Sequence, residues 1–288
     1  MKNASPSSRT HRVHGHLEVA ALTDPGNVRT ANEDAFLVDP TLGLIVVADG
    51  MSGHGGGAVA SAMTIRSVHG YLSGKQTGIT PPAVVSDETM LGDEGDTART
   101  LPTASIGQSG SAIERATGAL AFANERVYSI NRSYGLPERK GIGSTVAGLF
   151  WPSPTNGRAI IFHVGDCRIY RLRNGVMRRL THDHSASQRW IDEGMQGAPP
   201  ARNILQRAIG PTASVEADVT TAVLLPGDVL LLCSDGLTTM VPDRDIRTSM
   251  DHVAAGTSVE SEAVRLVDLA KTNGGRDNIT VALATVIM

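Results

Sequence analysis

Cysteine is nearly absent from this chain of 288 residues, occurring only at Cys167 and Cys233. So few thiols suit a reducing cytosol better than a disulfide framework. Aromatic residues are also scarce, 3% against 41% hydrophobic overall, so Val, Leu, Ile and Ala must fill the core. No apolar run reaches the ~18 residues a membrane span needs. The closest, residues 222–233, is broken by Pro226, Gly227 and Asp228. The formal net charge of -3 gives no basic footprint, which excludes nucleic acid as an expected partner. Residues 1–12 are polar and lack the apolar stretch of a signal peptide, so a cytoplasmic protein is expected.

What is present is strand-rich. Residues 1–16 carry His11, His14 and His16 without an apolar pattern and read as a disordered tail rather than a metal-binding tract. Residues 17–288 read as one domain. Strands are predicted over 17–23, 35–38, 43–48, 144–150, 158–164, 168–173, 176–180, 215–224, 229–233 and 278–287, with Asn174-Gly175 as a hairpin turn. Helical patterns cover 58–72, 111–133, 183–193 and 258–272, the last with Ser258 as N-cap and Gly274-Gly275 as terminator. Residues 73–109, rich in Gly, Pro, Ser, Thr and Asp, have no period and read as a mobile insertion dispensable for chemistry. Strands joined mostly by short turns predict an α+β domain with antiparallel sheets and helices packed outside.

Acidic residues cluster where these strands begin or end. Asn32-Glu33-Asp34, Ala48-Asp49-Gly50-Met51, Ser234-Asp235-Gly236 and Gly275-Arg276-Asp277-Asn278 each border an apolar run. A carboxylate at the end of a buried strand is costly unless its charge is compensated. Several of them together, with no thiolate or imidazole in the set, favour magnesium or manganese over zinc. Gly50 would let its backbone carbonyl approach a cation. Two divalent ions held by shared carboxylates can activate a water and clamp an in-line displacement at phosphorus. Arg29 has the planar fork that suits phosphate oxygens. An ordinary turn explains any single Asp-Gly; the clusters together are far more specific.

These residues carry a resemblance. Arg29-Thr30-Ala31-Asn32-Glu33-Asp34 is similar to the first motif of the metal-dependent protein phosphatases, the PPM or type 2C family, and Val47-Ala48-Asp49-Gly50-Met51-Ser52-Gly53-His54 to its bacterial second motif. Gly143-Ser144-Thr145, His163-Val164-Gly165-Asp166-Cys167-Arg168, Leu180-Thr181-His182-Asp183-His184-Ser185, Leu232-Cys233-Ser234-Asp235-Gly236 and Gly275-Arg276-Asp277-Asn278-Ile279-Thr280 follow in order, so the likeness spans residues 17–288. It implies a four-layer α-β-β-α sandwich, two central antiparallel sheets flanked by helices, with the metals at one end. It implies a serine/threonine protein phosphatase using two core manganese or magnesium ions. Asp49 would bridge them. Glu33 would bear on one, mainly through water, with Asp34 just behind it. Asp235, Asp277 and the Gly50 carbonyl would hold the other. Asp166 would share a third ion with Asp235, and Arg29 would bind the substrate phosphate. Phosphorylated proteins, a serine/threonine kinase among them, are the implied partners of a monomer.

The sequence departs from the family at three places. Met51 stands where many eukaryotic members carry a proton-donating His, leaving that task to His54 or, as we expect, to a water held by a metal. Ser52 replaces a Gly of the bacterial motif. Cys167 replaces a Ser; both cysteines read as buried inert thiols rather than redox switches. His54-Gly55-Gly56-Gly57 is no esterase oxyanion hole, because Gly-x-Ser-x-Gly is absent, and no Gly-Lys-Ser/Thr follows to make a P-loop. The glycines are expected to open the helix near Ala58. A non-catalytic regulator of the same fold is the alternative, and filled ligand positions argue against it.

Overall fold

A computed structural model describes residues 9–51, 56–75, 110–201 and 203–287. The strands are β1 (Arg9–Val13), β2 (Leu17–Asp24), β3 (Asp34–Asp39), β4 (Leu44–Met51), β5 (Gly143–Ser144) and β6 (Val146–Phe150), followed by β7 (Arg158–Val164), β8 (Arg168–Arg173), β9 (Val176–Arg179), β10 (Asp218–Val223), β11 (Val229–Cys233) and β12 (Ile279–Val286). The helices are α1 (Gly57–Leu72), α2 (Ala112–Ser133), α3 (Ala186–Asp192), α4 (Asp235–Met240), α5 (Asp243–Ala254) and α6 (Val259–Thr272). One sheet has the order β1-β2-β12-β11-β8-β9 and the other β10-β7-β6-β4-β3, with β5 pairing β4. All these pairings are antiparallel.

The layering follows from the apolar runs. A strand alternates its side chains between faces, so one that is apolar throughout must be covered twice. In β11, Leu230 and Leu232 join the core between the sheets, while Val229, Leu231 and Cys233 pack outward with Ile246, Leu266 and their neighbours in α5 and α6. In β4, Ile45 and Val47 face inward, and Leu44, Val46 and Ala48 meet Met63, Val68 and Leu120 of α1 and α2. Each fully buried Leu or Ile contributes about 1.5–3 kcal/mol. The result is the expected α-β-β-α sandwich. Helix α2 opens on a capping box: Glu114 N–H donates to Ser111 Oγ, and Ser111 N–H donates to Glu114 Oε2 at 2.7 Å.

The structure corrects several expectations. Residues 9–13, assigned to a disordered tail, form β1 and pair with β2 from Arg9↔Ala21 to Val13↔Leu17. The open edge of β2 supplies backbone partners that the sequence of this stretch does not advertise, and Val13 is fully buried. The ordered domain therefore starts before residue 17; residues 1–8 lie outside those described. The helix expected over 183–193 is shorter, because Asp183 and His184 are held by tertiary contacts and Ser185 caps α3 through Gln188 N–H. The strand expected from 215 starts at Asp218. Helices α4 and α5 were not anticipated. Of the insertion expected at 73–109, residues 76–109 lie outside the described residues, as does His54.

Candidate active site

The sheet registers bring the acidic motifs to one end of the sandwich. Asp34 and Asp49 are cross-strand partners in β3 and β4. Asp235 starts α4 just after β11, Asp277 just precedes β12, and Asp166 sits in the turn from β7 to β8. Arg29, Glu33, Asp49, Gly50, Asp166, Asp235 and Asp277 line one cleft of about 300 Å3, with Met51, Thr145 and Leu205 on its walls. Asp34 lies behind it, 9% exposed. Arg29 and the six metal-site candidates of this lining are residues the sequence singled out, and the structure brings them together with Asp34 behind them.

Glycines permit the close approaches. A Cβ on Gly50 would fall 2.1 Å from the Gly57 carbonyl oxygen, and one on Gly236 would fall 1.9 Å from that of Asn278. Gly50 N–H donates to the Glu33 carbonyl at 3.1 Å, and Gly57 N–H to Glu33 Oε1 at 3.0 Å, which ties the first acidic motif to the start of α1. Asn278 stitches in the same loop: Oδ1 accepts from Glu33 N–H at 2.8 Å, and Nδ2 donates to the carbonyls of Pro25 and Ala31. Thr145 clamps Asp49, accepting its N–H through Oγ1 and donating its own N–H to the Asp49 carbonyl at 2.8 Å. Asp34 Oδ2 accepts from Ser234 Oγ and Thr280 Oγ1, both at 2.7 Å. Gly57, Ser234, Asn278 and Thr280 were not singled out for these supporting roles, although all but Gly57 sit inside or beside the acidic motifs.

The electrostatics are those of a site missing positive charge. Burial, then repulsion from Asp34 and Asp235, pushes Asp49 well above the ordinary carboxylate range. Asp34 is raised to about 7, mainly by burial, against the two hydroxyl bonds that lower it. Asp166 is raised to about 7 by burial and by Asp235 and Asp183. Asp235 is raised by burial and by Asp277. Asp34 Oδ1 and Asp235 Oδ1 are buried with no hydrogen-bond partner. Orphaned anionic oxygens beside an all-carboxylate set fit hard divalent cations. Arg29, in the cleft lining, reaches Asp277 Oδ2 at 2.8 Å from an exposed position.

Another potential ligand group, His163, His184 and Asp218, does not need an ion. Gly165 N–H donates to His184 Nδ1, His163 Nε2 bonds the His182 carbonyl, and Arg207 Nη1 lies 3.1 Å from Asp218 Oδ1 and 3.3 Å from His184 Nε2. The guanidinium holds the place a cation would take. Both cysteines are buried and free; burial, first, pushes the Cys167 thiol well up and the Cys233 thiol to about 12, so neither is a ready nucleophile.

Residues 27–271 match the family described as Protein phosphatase 2C. A putative protein phosphatase 2C-type of Streptococcus pyogenes is 30% identical over 275 residues, covering 93% of this chain and 96% of the relative. The Mycobacterium tuberculosis serine/threonine phosphatase PstP/Ppp superposes with a TM-score of 0.74 at 27% identity, over 95% of this chain and 100% of that one. The catalytic domain of PstP, solved in complex with two manganese ions, gives 0.73 at 28% identity over 95% and 99%. The chain belongs to the protein phosphatase 2C family. Within it, the chain is a bacterial-type serine/threonine phosphatase.

Proposed function

We propose that this phosphatase works through divalent cations, manganese or magnesium, held by Asp49, Asp235, Asp277, Glu33 and the Gly50 carbonyl, with Asp34 supporting them and Asp166 serving a further ion. When bound, such ions activate a water for attack on phosphorus and neutralise phosphoryl oxygens. The chain's own groups do the rest. Arg29 binds the phosphate of a phosphoserine or phosphothreonine through its guanidinium fork. Thr145 and Ser144 fix the backbone of Asp49, and Asn278 fixes that of Glu33, so the carboxylates meet the phosphate without rearranging. Met51, 36% exposed on the cleft rim, can donate no proton to the leaving alkoxide.

One observation carries this reading: four carboxyl groups, Asp34, Asp49, Asp166 and Asp235, share a region in which none forms an ion pair with a Lys, Arg or His among the described residues, and two of their oxygens are buried and unpartnered. Substrates are phosphorylated proteins, and the proposed role is to oppose a serine/threonine kinase in the cytoplasm, acting as a monomer. Among the described residues, no helix is long and apolar enough to cross a membrane. The test is hydrolysis of a phosphothreonine peptide by chelator-treated protein with and without added manganese. Activity that needs manganese is expected, and full activity in chelator would contradict the reading.

A further inference from the structure

The acidic cleft does not end at its carboxylates. Asp166 and Asp235 also border a second hollow of about 380 Å3. It lies between the segment that contains α3 and the start of α4, and its lining includes Trp190, Ile191, Pro199, Pro200, Thr238 and Thr239. Aromatic side chains are rare in this chain, and its other tryptophan, Trp151, is 3% exposed. Trp190, by contrast, is only part-buried and lines open space. Its Nε1–H donates to the Gln196 carbonyl at 2.9 Å, which pins the indole and leaves its remaining surface apolar. Ile191 is 50% exposed on the same helix. Trp190, Ile191, Pro199 and Pro200 supply the apolar surface of a hollow otherwise lined by polar and charged residues.

Charge narrows what can enter. The lining contains one basic residue, Arg168, and its guanidinium is spent on Asp183, with Nε and Nη2 both bonded to that carboxylate and the shortest contact at 2.6 Å. An acidic side chain would meet no free cation among the described lining residues. An extended peptide advances about 3.3 Å per residue, so a hollow that shares two residues with the cleft is within reach of the nearest neighbours of a bound phosphoresidue.

We propose that this hollow receives an apolar side chain of the phosphoprotein substrate, next to the phosphoserine or phosphothreonine, with Trp190 as its principal contact, and that it disfavours an acidic residue there. The proposal rests on the phosphatase reading of the adjoining cleft. Discrimination by one buried apolar group is typically about 10–200-fold in kcat/KM.

The experiment uses the manganese-loaded full chain and phosphothreonine peptides that differ only in carrying Leu, Pro, Ala, Lys or Glu at each of the neighbouring positions. At one position, Leu or Pro should exceed Glu by roughly tenfold or more in kcat/KM. Trp190→Ala should collapse that ratio, and Trp190→Phe should keep most of it. Ile191→Glu, at a half-exposed site that folding tolerates, should turn the preference towards Lys. Hydrolysis of p-nitrophenyl phosphate by the same wild-type preparation separates the two readings. If it is absent, the phosphatase reading fails and takes this one with it. If it is present but the peptides show no positional preference, or if the preference survives both Trp190→Ala and Ile191→Glu, the hollow is not a substrate subsite.

Discussion

Buried aspartates occur in two settings in this molecule, and they are treated in opposite ways. Asp228, 1% exposed, is clasped by Arg173 and also accepts the Leu225 N–H at 2.9 Å. Asp183, 7% exposed, is held in the same way by Arg168. At the cleft end, Asp34 is 9% exposed and Asp49 and Asp235 are part-buried, yet none forms an ion pair with a Lys, Arg or His among the described residues. Burying a charge is expensive in both places. Where the carboxylate serves the fold, the chain supplies its own cation. Around these three it withholds one, and the electrostatic cost is left to be offset by ions from outside.

The largest expected effect follows from removing a charge at the cleft. Asp49→Asn or Asp235→Asn should lower phosphopeptide turnover on the order of 10²–10³-fold, since metal-held charge stabilisation is worth several kcal/mol. The same change should leave the metal-free protein at least as stable as the wild type, because it relieves repulsion among carboxylates. Thermal melts in chelator, beside turnover in manganese, check both halves. Asp228→Asn should do the reverse, costing roughly 2–3 kcal/mol of stability, at the low end for a broken buried pair because Arg173 still reaches solvent. Turnover by its folded fraction should be unaffected. A destabilising Asp49→Asn or a harmless Asp228→Asn would erase the contrast.

How much of this contrast the sequence reveals depends on whether the signal is local. Asp49 and Asp235 stand beside the apolar runs that become β4 and β11, so their place at strand ends is legible in a few residues. Their support is not. The hydroxyls that hold Asp34 belong to Ser234 and Thr280, some two hundred residues away along the chain, and only the packing of the sheet that contains β3 against the sheet that contains β11 and β12 makes them neighbours. Strand β1 escaped notice because its sequence is polar and the edge of β2 supplies the pairing. Helix α5 did leave a signal, since Ile246, Met250 and Val253 are spaced for one buried face after Asp243 and Asp245 in the first turn.

A smaller effect concerns the one guanidinium at the cleft. Arg29→Ala should raise KM for a phosphopeptide roughly tenfold, the low end for losing a charge-assisted contact at an exposed site. Manganese affinity measured by calorimetry should change little, because the ion pair between Arg29 and Asp277 is exposed. The opposite pattern would assign Arg29 to the metal side.

The smallest effect is a pH dependence. Asp34 and Asp166 are held at about 7 in the folded, metal-free protein, whereas an unfolded chain titrates them near 3.8. Between these limits the folded state binds more protons than the unfolded one. Their contribution to stability is therefore full below about 4 and lost as pH rises to about 7. His184, pushed down to about 4 chiefly by burial, works in the other direction, losing stability as pH falls below 6.5. Comparing wild type with Asp166→Asn cancels the histidine. In chelator, the variant's advantage in melting temperature should be a few degrees at pH 7 and should vanish near pH 4. Manganese at pH 7 should stabilise the wild type and reverse the order.

The most direct measurement is calorimetric titration of manganese into chelator-stripped wild type, Asp49→Asn and Asp228→Asn at one pH. The wild type and Asp228→Asn should bind with the same stoichiometry of more than one ion, and Asp49→Asn should lose that binding while remaining folded. Equal binding by Asp49→Asn and the wild type would contradict the claim that the unpaired carboxylates of the cleft are kept for metal.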